Sequence, residues 1–239
     1  MDTANTTTTM TTPTAGTNDR KAASLPFMTI CDNPVYFQED WGTGIGGGLW
    51  STGLALAHYF RSDAARNSVL QLAGSKQLRV LELGSGNGFL SVCVLAMARD
   101  CIEALVVTDL ADHLPLMETT IAANQHLMSE NVEVQVKEHK WGEFEIEDNV
   151  PFDLILGSDV AYRPYLYDVL ISSLSHYSNS NTISLIGVTM NDTTPAFFVK
   201  LGKAGFSYTR LNDVLMPSNF QGTTFGIFAI RKKAEDRNS

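Results

Sequence analysis

From Leu78 onward, short unbroken apolar runs alternate with stretches of helical periodicity, the pattern that predicts a doubly wound α/β sheet. Leu78–Leu83 reads as the first strand of this series and Phe89–Ala98 as its helix. Ala104–Thr108 reads as a buried strand ending at Asp109. Asp112 is a candidate N-cap, with Pro115 in the first turn of a helix predicted to run to about Met128. A third strand is expected at Val132–Val136 and a fourth, fully apolar, at Phe152–Leu156. Then come a helix over Tyr165–His176, a strand over Ile183–Val188 and a helix over Pro195–Lys203 closed by Gly205. Phe206–Leu211 and Phe225–Ile230 predict a terminal antiparallel pair.

Upstream the pattern weakens. Leu49, Trp50, Gly53, Leu54, Ala57 and Phe60 recur at helical spacing, so a helix is expected from about Leu49. A shorter polar helix covers Asp63–Leu72, stopped by Gly74. Cys31–Trp50 is aromatic and then Gly-rich and reads as loop, with Trp50 as a core anchor or as a wall against something flat or bulky. Residues 1–22 are Thr-rich without apolar periodicity and are expected to be disordered, because such a stretch buries too little surface to offset its ordering entropy. They lack the apolar core of a secretory signal; a mitochondrial transit peptide is the alternative reading, although Arg20 and Lys21 are their only basic residues. The expected organisation is a tail over 1–22, one domain over 23–231 and a solvated charged tail over 232–239.

A length of 239 residues and an apolar fraction of 44% suit one such domain with a full core. The formal net charge of −9 argues against a phosphate-tracking surface and fits a basic protein or peptide partner, or a cationic cofactor. Cys31, Cys93 and Cys101 have no C-x-x-C spacing and leave an odd thiol, which disfavours zinc and a disulfide framework and points to a reducing compartment. No apolar run reaches the length of a membrane span. A cytoplasmic protein, a monomer with neither nucleic acid nor membrane as partner, is the expectation.

The chemistry centres on Glu82-Leu83-Gly84-Ser85-Gly86-Asn87-Gly88, a glycine-spaced turn between strand and helix. Glycine lets backbone approach a ligand closely, and the amides opening the helix face the same ligand. The spacing G-x-G-x-G, with an acid two residues earlier, differs from the dinucleotide fingerprint G-x-G-x-x-G and resembles the S-adenosylmethionine (SAM) loop of seven-strand methyltransferases. Ligands of open parallel sheets sit beyond the carboxyl ends of the strands. There the sequence places Asp109, able to accept both ribose hydroxyls, Trp141, able to stack on adenine, and Ser158-Asp159-Val160-Ala161-Tyr162. Taken singly, Asp109 and Asp159 read equally as helix caps, Trp141 as a lid over the sheet edge and Tyr162 as a half-buried aromatic.

With these residues the chain resembles the family 16 seven-β-strand methyltransferases, which include the methyltransferase-like 21 protein lysine methyltransferases. The resemblance runs from about Gly44 to Ile230. It rests on Gly48-Leu49-Trp50, the glycine turn, Val107-Thr108-Asp109, Asn124, Trp141-Gly142 and above all Asp153–Tyr162, with its D-x-x-Y motif. It implies a Rossmann-like SAM-dependent fold, mostly parallel with an antiparallel last strand. It also implies a SAM site of Trp50, Gly84, Ser85, Gly86, Asp109, Trp141 and Ser158, with Asp159 and Tyr162 facing the methyl acceptor and no metal. The implied activity is methylation of a lysine on a cytosolic protein. Ser51, where many relatives carry an acid, and the Gly46-Gly47-Gly48 run depart from the pattern on the acceptor side. A small-molecule N- or O-methyltransferase and a SAM-binding regulatory protein without catalysis are the alternatives.

Overall fold

The computed structural model describes residues 25–73, 77–144, 146, 150–222 and 224–234; the tail expected over 1–22 and the stop at Gly74 lie outside them. A hairpin of β1 (Met28–Ile30) and β2 (Asn33–Val35) leads through a Gly-rich loop into α1 (Ser51–Phe60) and α2 (Asp63–Ala73). The alternating part follows: β3 (Leu78–Leu83), α3 (Phe89–Ala98), β4 (Ile102–Asp109), α4 (Leu114–Ala123), β5 (Glu133–Glu138), β6 (Leu154–Ser158), α5 (Tyr167–Tyr177), β7 (Ile183–Thr189) and α6 (Pro195–Lys203). β8 (Phe206–Arg210) and β9 (Phe225–Lys232) close the chain. The main sheet has seven strands in the order β5-β4-β3-β6-β7-β9-β8. All its pairs are parallel except those of β9, which runs antiparallel to both β7 and β8.

Side chains alternate across this sheet and build two cores. Val80, Leu105, Val107, Leu154 and Leu156 pack on the side of α1 and α3, while Leu81, Leu83, Val106 and Ile155 pack on the side of α5 and α6. All ten residues of α3 are buried, which is why its sequence shows no polar face. β3 lies between β4 and β6, so connections leave it in opposite directions and a crevice opens at their carboxyl ends.

Four expectations change. The segment after Cys31 is not all loop: β1 and β2 pair around Cys31 and Asp32, both in the left-handed region at φ 46° and 65°. Strands of three residues carry too little alternation to be read, and no glycine marks the turn. The fourth helix stops at Ala123 rather than Met128, because the Asn124 side chain turns to the Tyr36 main chain, accepting its N–H at 2.9 Å and donating to its carbonyl at 2.7 Å. Asp112 is not the N-cap; it lies in the 3-10 turn before α4, and His113 occupies the cap position without a side-chain bond. At the end of the chain, Arg231 and Lys232 pair with Ser207 and Phe206 inside the sheet. Among the described residues no helix is long and apolar enough to cross a membrane.

Candidate active site

The glycine turn sits at the carboxyl end of β3. Gly84, Gly86 and Gly88 all have positive φ, at 66°, 65° and 78°, a conformation that side-chain-bearing residues resist. A Cβ on Gly84 would lie 2.8 Å from the Trp141 ring and 2.9 Å from Val160 Cγ1; one on Gly86 would lie 2.8 Å from the Gly46 carbonyl oxygen. Both sides of the turn are therefore contact surfaces. Ser85 is turned inward: its N–H donates to Thr108 O at 2.9 Å and its hydroxyl accepts the Gly88 N–H at 3.1 Å. Asn87 ties the turn to the Gly-rich loop by donating to Gly48 O at 2.8 Å.

Beneath the turn Glu82 is fully buried. Desolvation pushes its carboxyl up to about 7, opposed by hydrogen bonds from Ser91 and Ser85 and reinforced by the Asp109 charge. Asp109, at the end of β4, accepts the Gly86 N–H and the Leu110 N–H, each at 2.7 Å. Its Oδ1 lies 3.5 Å from His113 Nδ1, and that imidazole fills the space a side chain on Gly46 would need. Asp109, His113, Gly46 and Gly86 thus form one contiguous wall. Trp141 forms the facing wall, half-buried against Gly84 and the α5 side of the core.

The turn after β6 packs directly on this cradle through Val160. Ser158 Oγ lies 3.2 Å from Thr52 Oγ1 on α1. Asp159 adopts φ 53°, and its carboxylate accepts the Thr189 hydroxyl at 2.9 Å and the Thr189 N–H at 3.2 Å. Thr52 adds further bonds; burial holds the carboxyl above its ordinary range, and these bonds oppose that rise without cancelling it. Asp159 is not a helix cap. Tyr162 is 38% exposed, with the Arg163 guanidinium 5.5 Å from its ring.

The structure thus brings Gly84, Gly86, Asp109, Trp141, Ser158 and Asp159 to adjoining strand ends. The Trp50 indole packs edge-on to Trp41 with centroids 6.0 Å apart, and its N–H donates to Ile45 O at 3.0 Å, next to the Gly46 that meets Gly86. Trp50 thereby braces the Gly-rich loop whose Gly46 meets the glycine turn. Thr52, Thr189 and His113 escaped the sequence reading. The two threonines act across the fold and have no local signature; His113 offered only its spacing of four from Asp109.

A cradle cleared of side chains by left-handed glycines, with a carboxylate on one wall and an indole on the other, fits a nucleoside carrying an amino-acid arm. With the sheet order, it defines the class of SAM-dependent methyltransferases. A ribosomal protein L11 methylase from Lactobacillus delbrueckii subsp. bulgaricus shares the fold, with a TM-score of 0.50 at 19% identity over 70% of this chain and 77% of that one. The profile of the lysine methyltransferase family matches residues 30–204, and the chain belongs to that family. Protein N-lysine methyltransferase METTL21A of Mus musculus is 23% identical over 193 residues, 79% of this chain and 81% of its own length. Protein-lysine N-methyltransferase EFM6 of Saccharomyces cerevisiae is 28% identical over 207 residues, 79% of each chain.

Proposed function

We propose that this enzyme transfers a methyl group to a lysine side chain of a protein substrate in the cytoplasm, as a monomer, with separate residues for cofactor and acceptor. The observation that carries this reading is the Asp159 carboxylate, held by Thr189 and Thr52 one residue before Val160, which contacts Gly84. An anion fixed beside the cofactor cradle suits a cationic acceptor, as does the net charge of −9.

Gly84 and Gly86 let the main chain approach the cofactor, Asp109 takes the ribose hydroxyls and Trp141 stacks on adenine. Ser85 and Ser158 shape the cradle from within, and Trp50 supports the loop above it. SAM, when bound, supplies an electrophilic methyl group on a sulfonium. A lysine must lose its proton to be a nucleophile, and its ordinary pKa is about 10.4. Asp159 binds the incoming ammonium and Tyr162 orients the amine through its hydroxyl, while solvent takes the proton. No strong general base is needed.

Incubation with tritiated SAM and cell extract tests the acceptor class. The label is expected in the protein fraction, and mass spectrometry of the labelled band is expected to place it on a lysine ε-nitrogen. Label confined to the small-molecule fraction, or SAM binding without transfer to either fraction, would overturn this reading.

A further inference from the structure

Ser173 stands in the middle of α5, fully buried, where a hydroxyl needs a partner. Its Oγ accepts the Gly142 N–H at 2.9 Å, and the His139 Nε2 lies 3.2 Å from the same oxygen. His139 is itself buried, 3% exposed, and its ring packs edge-on to Tyr177 with centroids 5.4 Å apart. Burial pushes this imidazole down to about 4, so the ring is neutral at physiological pH and shares one proton with the serine hydroxyl. Its Nδ1 finds no partner among the described residues. The His139 main-chain N–H donates to Asp109 O at 2.8 Å, which joins this segment to the opposite wall of the cradle.

These bonds converge on the turn that carries Trp141. Gly142 has φ 86°, and a side chain there would meet Val169 of α5 at 3.2 Å, so the helix backs the turn closely. In front of it, the Trp141 ring lies where a Cβ on Gly84 would be only 2.8 Å away. The Trp141-Gly142 turn lies between α5 and the glycine turn, and among the described residues the side-chain oxygen bonded to the Gly142 amide is that of Ser173. An apolar pair would fill the same volume without an unpartnered ring nitrogen, but it would leave the Gly142 N–H without its acceptor, so the polar pair is tied to this turn.

We propose that Ser173 and His139 are positioning residues for the cofactor, holding Trp141 through the Gly142 amide so that SAM affinity depends on side chains that never touch SAM. This inference rests on Trp141 being the adenine wall. The pair sets the height and tilt of the indole above the glycine turn. Its loss frees the Trp141-Gly142 turn without opening the core.

A double-mutant cycle read by calorimetry with SAM and its demethylated product S-adenosylhomocysteine tests it. Trp141→Ala is expected to weaken both ligands about tenfold. Ser173→Ala is expected to weaken them about fourfold in the wild-type background and by less than about 1.5-fold in the Trp141→Ala background. Equal losses in the two backgrounds, or no loss in the first, overturn the proposal and leave the adenine assignment standing. Wild-type affinity in Trp141→Ala removes the adenine assignment, and the proposal with it. Ser173→Cys, which keeps the volume and weakens the acceptor, serves in both backgrounds if Ser173→Ala melts below the assay temperature.

Discussion

The two parts of the site each centre on a carboxyl group withdrawn from solvent, Glu82 buried and Asp159 half-buried, and the groups are secured in opposite ways. Glu82, under the cofactor cradle, is held by Ser91 and Ser85, nine and three residues away in the same strand-turn-helix unit. Asp159, on the proposed acceptor side, is held by Thr189, 30 residues away on β7, and by Thr52 on α1. The Glu82 bonds are local to one strand-turn-helix unit; those of Asp159 exist only when α1, β6 and β7 have come together. The glycine turn at the centre of the cofactor cradle is therefore set by a motif, and the proposed acceptor side by the whole fold. An architecture of this kind can keep its cofactor while the groups around its acceptor are exchanged one element at a time.

The sharpest way to break the comparison is to damage the local half alone. In Gly86→Val a branched side chain must adopt φ 65° and meet the Gly46 carbonyl at 2.8 Å. SAM affinity is expected to fall on the order of 1000-fold, about 4 kcal/mol, while circular dichroism and the melting transition still report a folded protein. Affinity within about threefold of wild type would remove the glycine turn from the cofactor site.

Glu82 gives the next effect, on stability rather than binding. Its folded-state value of about 7 lies above the ordinary 4.5, so between these values the folded protein retains a proton that the unfolded chain has lost. Stability contributed by this group is intact below 4.5, falls as pH rises and levels off above about 7, the reverse of a salt-bridged carboxylate. Urea unfolding of wild type and Glu82→Gln from about pH 5 to 8.5 should show wild type losing about 2.5 kcal/mol relative to the variant. Parallel profiles would mean that the buried carboxyl carries no such penalty.

The same contrast explains what could be read from the residues in order. β3, the glycine turn and α3 were legible to the residue, because an apolar run, three spaced glycines and an apolar helix each carry their own signal. Asp109 and Asp159 were legible as acids after strands, since strand ends can be located one strand at a time. Their partners were not. Nothing around Thr52 or Thr189 indicates that their hydroxyls meet the carboxylate and serine at the end of β6, because that contact exists only after the sheet has closed. The contacts of the Trp50 indole were hidden for a related reason: helical spacing located the start of α1 nearby but could not show that the Gly-rich loop folds back and engages the ring through Trp41 and Ile45. The β1–β2 hairpin was hidden by its own shortness.

The assembled half predicts a smaller, more selective lesion. Thr189→Val keeps the branched shape at the end of β7 and removes one hydroxyl donor to the Asp159 carboxylate. If Asp159 binds the acceptor amine, methyl transfer should fall about 20-fold, near 1.8 kcal/mol, in line with a hydrogen bond to a charged group. SAM affinity should stay within about twofold. A matching loss of SAM affinity would place Asp159 on the cofactor side and collapse the distinction between the halves.

The mildest change probes Tyr162, the more exposed of the two residues proposed for the acceptor side. Tyr162 is 38% exposed, and its ring is flanked by Arg163 rather than locked into a core, so Tyr162→Phe should leave stability and SAM affinity unchanged. The lost hydroxyl is the one assigned to pointing the amine lone pair at the methyl group. Its removal should lower the transfer rate about tenfold, equivalent to about 1.4 kcal/mol of transition-state stabilisation. Because the acceptor is a lysine, the wild-type rate at subsaturating protein substrate should climb from neutral to alkaline pH as the neutral amine becomes more abundant. The variant should climb in parallel and remain below it, since orientation and deprotonation are separate requirements. Convergence of the two curves at high pH would instead assign Tyr162 to proton removal. Coincidence throughout the range would remove it from the reaction and leave Asp159 alone on the acceptor side.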